Sequence, residues 1–127
     1  MGIEQICEGV IIDRKDHSDT LTISKAVDLE ILQSVNRHFT NNPQPTKKIL
    51  IDIRNNEPAS SDFLSVIGIC RKSYGNDPRN VRIAVDYGSH AYTVLKVVSF
   101  DQQYEMVLRH PRREPVEREL AFSNCYK

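Results

Sequence analysis

The run Ile49-Leu50-Ile51-Asp52-Ile53 constrains this chain more than any other stretch. Large aliphatic residues interrupted only by Asp52 read as a strand covered on both faces or nearly so. A polar loop follows, and then a helix opened by Ser60 or Ser61. A strand, a loop and a helix in that order are the first half of a crossover unit, whose next strand lies parallel to the first. An α/β fold is the expectation before any other residue is considered.

Extending the reading in both directions gives alternating elements. Residues 3–13 (IEQICEGVIID) are rich in β-branched side chains, and a polar cluster from Arg14 to Asp19 separates them from residues 20–23. This predicts two strands joined by a polar turn, with Gly9 marking a bulge in the first. Ser24 is placed as the cap of a first helix, in which Val27, Ile31, Leu32, Val35 and Phe39 share one face. That helix stops near Thr40, ahead of Asn41-Asn42-Pro43. The second helix buries Phe63, Ile67, Cys70 and Tyr74, with Gly68 allowing close packing.

Residues 81–85 form a further strand, and Ser89 caps a third helix with Tyr92, Leu95, Val98 and Ser99 toward one side. Residues 104–108 are expected as an edge strand able to pair across a homodimer. Pro115 opens a short final helix over residues 116–122. The order β-β-α-β-α-β-α-β-α predicts one domain over 1–127. Its sheet is expected to be mixed and mostly parallel, with four to five strands and about four helices.

Charge narrows the function classes. Lys plus Arg (17) equals Asp plus Glu (17), so no net field draws the chain to nucleic acid. The cysteines, Cys7, Cys70 and Cys125, are odd in number and far apart, which points to a reduced, cytoplasmic setting rather than a disulfide framework. The N-terminus lacks a signal-peptide pattern, and no apolar run approaches the roughly 20 residues of a membrane span.

The chemistry-bearing residues do not assemble into a reaction. His17, His38, His90 and His110 lie in four separate segments without ligand spacing, so no metal is expected. Neither a GxGxxG nor a GxxxxGK[ST] loop is present, nor a GxSxG elbow, and no cofactor is expected. The Asp86…Ser89-His90 grouping is accounted for by helix capping. Asp52 and Asp86 end strands that should be neighbours, and they face one crevice as an acidic pair or as anchors for loop backbone. A receiver-type phosphoacceptor site fails, since Asp13 stands alone and Arg109 rather than lysine follows the last strand. The Arg109-His110-Pro111-Arg112-Arg113 cluster reads as a solvated turn, or more sharply as a docking surface for an acidic partner. Ser60, Ser61 and Ser65 crowd a helix start, where a phosphate is well stabilised.

The segment ILIDIRNNEPASSDFLSVIGI, with its strand, acid, loop, serine and helix, resembles the STAS fold of anti-sigma-factor antagonists and the related SpoIIAA-like proteins. The likeness continues through VRIAV, the next helix and the closing strand–helix pair, so it covers most of the chain in order of elements. Ser61 falls at the family's regulated serine, and Gly68 lies deeper in the helix. Ala59-Ser60-Ser61-Asp62 stands where the family carries Asp-Ser-Ser-Gly. The resemblance implies a non-catalytic regulatory module. It would bind a protein partner, a regulatory kinase or a sigma-pathway type protein, through Asp52, Asn55, Ser60, Ser61, Ser65 and Asp86. Ser61 would be its phosphorylation site. The SpoIIAA-like branch is similar in shape to small lipid-binding domains. It implies the alternative of a small apolar ligand in the crevice at the strand carboxyl ends, with room for peripheral membrane contact.

Overall fold

The structure is a computed structural model and describes residues 2–54 and 62–110. Its strands are β1 (Gly2–Cys7), β2 (Val10–Arg14), β3 (Ser18–Ile23), β4 (Lys48–Ile53), β5 (Val81–Asp86) and β6 (Glu105–Arg109). The helices are α1 (Leu29–Asn41), α2 (Asp62–Ser73) and α3 (His90–Val97), with single 3-10 turns at Pro78–Asn80 and Phe100–Gln102. All the strands join one sheet in chain order, antiparallel from β1 to β3 and parallel from β3 to β6. The α/β class and the mixed sheet are as expected, and β6 lies at an edge. The counts differ: six strands and three α-helices stand among the described residues. The helix predicted over 116–122 lies outside them.

The additional strand comes from residues 3–13, which fold back on themselves. Cys7 pairs with Val10, and Gly9 takes φ +84° in the turn between them. The ladder irregularity falls instead between Gln5 and Cys7. A side chain at position 9 would meet the aliphatic stem of Lys25. The first helix is likewise capped later than predicted. Asp28 accepts from the Ile31 N–H at 2.8 Å, while Ser24 donates to the Gly9 carbonyl. Val27 is buried just ahead of that cap, and Ile31, Val35 and Phe39 form the inward stripe.

Each parallel crossover advances one strand in the same direction. Right-handed connections then place all three helices on one face of the sheet. Burial follows this. Leu21, Ile23, Ile49, Ile51, Ile53, Val81, Ile83 and Val85 are buried beneath the helices with Phe39, Phe63, Ile67, Cys70 and Leu95. The alternate residues Thr20, Thr22 and Leu50 are only half-buried, and Lys48 and Arg82 are exposed. β4 is thus covered by helices on one face among the described residues, not on both. Gly68 also departs from expectation. It is exposed on α2, and an added Cβ would meet nothing within 4 Å, so it serves no close packing. On α3 the inward residues are Ala91 and Leu95. Val98 is 37% exposed, because the helix ends at Val97.

Asp19 belongs to the core side of β3, not to a solvated turn. Its side chain is fully enclosed and accepts from Lys47 Nζ and from the Tyr74 hydroxyl, both at 2.6 Å. The Lys15 N–H adds a third, longer bond at 3.3 Å. Burial and the bond to Asp19 push the Tyr74 hydroxyl's pKa well above that of a free phenol, so it stays a neutral donor. Gly75 follows at φ +86°, where a Cβ would strike the Pro45 carbonyl oxygen at 2.8 Å. The end of α2 is pinned there against the loop that leads into β4.

At the other margin of the helical layer, Arg14 Nη2 and His38 Nε2 are 2.7 Å apart. A guanidinium only donates, so Nε2 accepts and the ring proton sits on Nδ1, 4.0 Å from Glu4. Burial and the charge of Arg14 lower the His38 pKa from its ordinary value, against a smaller opposing effect of Glu4. In the unfolded chain His38 then binds a proton more readily than in the fold. Its contribution to stability is complete above about pH 6.5 and is lost as the pH falls through the lower folded value. The melting temperature should drop on acidification below about pH 6.5, and His38→Gln should flatten that slope. The same slope in the variant would assign the loss to other groups.

Candidate functional site

Side chains of a strand alternate between faces, and the ladder decides which of them meet. Asp52 pairs with Ala84, and Ala84 with Val107; two residues further on, Asp86 pairs with Arg109. These five residues therefore share the helix-free face at the strand carboxyl ends. Arg109 Nε donates to Asp86 at 2.9 Å. Its Nη1 reaches across β5 to Asp52, and its Nη2 donates to the Ile53 carbonyl. Ala84 leaves room for that reach, since its methyl is the side chain that the ladder sets between Asp52 and Val107.

Arg54 completes the set, with Nε 2.8 Å from the second carboxylate oxygen of Asp52. Two acids and two guanidinium groups balance in charge, and each carboxylate is engaged by at least one arginine. Burial of Arg109 works against its charge. The bond to Asp86 and the charge of Asp52 outweigh that and raise its pKa. The neighbouring backbone is tied as well. The Tyr87 N–H donates to the Arg109 carbonyl at 2.7 Å, and the Arg54 N–H to the Ile23 carbonyl at 2.8 Å. The segments that leave β4 and β5 thus start from fixed positions.

Beside this network stands an aromatic ledge. The Tyr87 ring is 5.3 Å from Tyr92 and 5.2 Å from His110, and Lys96 lies over Tyr92. Tyr87 is 50% exposed. Tyrosine and arginine together at a rigid surface are the residue types that most often carry binding energy between proteins.

Asp52 and Asp86 are thus brought together, but through Arg109 rather than as a bare acidic pair. Ser65 is exposed near the start of α2. Asn55, Ser60 and Ser61 lie outside the described residues. His90 is exposed at the first position of α3 and has no hydrogen bond to either acid among the described residues. The sequence places Arg109 in a basic cluster that reads as a solvated turn or a docking surface, whereas the structure holds it at the end of β6, bonded to Asp86 and Asp52. The parity of β5 and β6 was the signal that could have found it, since two strands ending in Asp and Arg at matched positions must place them side by side. No group of three or more potential metal ligands occurs among the described residues. None of the described helices is long and apolar enough to cross a membrane. No protein-family model matches the chain, and no curated protein matches it.

Proposed function

We propose that this chain is a non-catalytic, STAS-like regulatory module that binds a protein partner through the surface around the start of α2 and the carboxyl ends of β4 to β6. The observation that carries this reading is the double engagement of Arg109 with Asp52 and Asp86. Acids held by guanidinium groups make a rigid platform and leave no free carboxylate pair for proton transfer. Exposed Arg54 belongs to that platform and exposed Tyr87 and His110 follow Asp86 and Arg109 directly, so that they offer a partner both charge and aromatic area, while Ser65 is exposed near the start of α2. Ser61, one residue ahead of α2 in the sequence, is the residue on which a regulatory kinase would act.

The alternative, a small apolar ligand or lipid in the crevice between the same strands, has less support. The guanidinium of Arg109 already bridges that crevice, and an apolar occupant would have to strip its bonds.

The test uses the full chain as bait in extracts of its source cells, with bound proteins quantified by mass spectrometry. A protein retained by the natural sequence should fall at least about tenfold with Ser61→Asp or Ser65→Arg. The melting temperature of Ser65→Arg should not change, since Ser65 is exposed. Equal retention by both variants would reject the proposed surface.

A further inference from the structure

The helix-free face has a second polar end, at the amino ends of β3 to β6. It lies four residues back along the strands from Arg109, about 13 Å at 3.3 Å per residue. A cleft of about 290 Å³ opens there; its lining includes Thr20, Lys48, Leu50, Arg79, Arg82 and Glu105, and also Asp19, whose carboxylate is already taken by Lys47 and Tyr74. The ladder sets Ser18 beside Lys48, Thr20 beside Leu50, Leu50 beside Arg82 and Arg82 beside Glu105.

The two ends differ in how their cations are matched. At the carboxyl end both arginines are held by carboxylates. In the cleft, Arg79 is held by Asp77 at 2.9 Å. The side chains of Lys48 and Arg82 are exposed and have no hydrogen bond or ion pair among the described residues. Two unmatched cations on adjacent strands suit one doubly charged group better than two separate carboxylates. Glu105, an acceptor when ionised, disfavours a second anionic group and favours hydroxyl donors on its side. Leu50, half-buried between them, offers an apolar floor for a carbon skeleton. The volume is at the small end for ligand sites, which suits a single phosphorylated unit and not a dinucleotide.

We propose that this cleft binds a small phosphomonoester bearing hydroxyl groups, of the sugar-phosphate type. The phosphate sits between Lys48 and Arg82, and the hydroxyls are received by Glu105 and Thr20. This site is separate from the partner surface, and it can hold or fail independently of it.

The experiment is an amide NMR titration of the full chain with ribose 5-phosphate and, separately, with inorganic phosphate. Ribose 5-phosphate should shift the Thr20, Leu50 and Arg82 amides to saturation. Lys48→Ala and Arg82→Ala should each weaken it about tenfold or more. Both side chains are exposed, so the remaining resonances will report an unchanged fold. Glu105→Gln should weaken ribose 5-phosphate while leaving inorganic phosphate unaffected or slightly tighter. Three results would each overturn the proposal: no shift of these amides at about 10 mM ligand, shifts undiminished in both alanine variants, or inorganic phosphate binding as tightly as the sugar phosphate.

Discussion

Replacing Asp19 by alanine should cost about 3–5 kcal/mol, as breaking a buried ion pair does. That is a large share of the roughly 5–15 kcal/mol by which a domain is stable. The carboxylate has no contact with solvent, and its partner Lys47 keeps only 16% side-chain exposure. Without Asp19 the ammonium is left largely buried and uncompensated, and the Tyr74 hydroxyl loses its acceptor. Tyr74→Phe is the milder change, at about 1 kcal/mol, because Asp19 keeps Lys47 and the Lys15 N–H. The double variant should cost less than the sum of the two singles, since both remove one shared bond. Urea unfolding midpoints at constant slope give these values. A loss below about 0.5 kcal/mol for Asp19→Ala, the range of ordinary surface substitutions, would contradict the enclosed ion pair.

Arg109→Met is expected to cost about 2–4 kcal/mol, through the unmatched groups it leaves rather than through lost packing. Asp52 is 7% exposed and would retain Arg54 alone, and the Ile53 carbonyl would lose its guanidinium donor. Asp86 would lose its charged partner across the ladder. Arg109→Lys should recover only part of this, because a point charge cannot reproduce a fork shared among three acceptors. Urea unfolding midpoints at constant slope give these values as well, and an Arg109→Met loss below about 0.5 kcal/mol would contradict the shared guanidinium.

Much of the fold could be read from the sequence because its signals are local. The buried stripe of Phe63, Ile67 and Cys70 on α2, continued by Tyr74 just past its end, needs only the helical period. The cap at Ser89, which accepts from the Tyr92 N–H, needs only three residues of context. What escaped depended on partners distant in sequence. Asp19 looks like any acid in a polar cluster until Lys47 and Tyr74 arrive from two other elements. Arg109 looks like one of several basic residues until the ladder sets it beside Asp86 and opposite Asp52. The hairpin at Cys7–Val10 was hidden for another reason. β-branched residues occur on both sides of Gly9 within residues 3–13, and the single glycine that turns the chain could equally have marked a bulge.

A sheet whose spatial order equals its chain order can be assembled from one edge as synthesis proceeds. The two hairpin pairings close first, and each later strand then needs only its own crossover loop to close. No strand has to insert between two that are already paired. The carboxyl-end charges balance only at the last step. Until β6 docks, Asp52 and Asp86 have Arg54 as their counter-charge in the network. A nascent chain that stops short of residue 109 therefore presents an acid-rich rim and an open strand edge together. Arrival of β6 removes both from β5, so docking of that strand is itself a stabilising event for the domain.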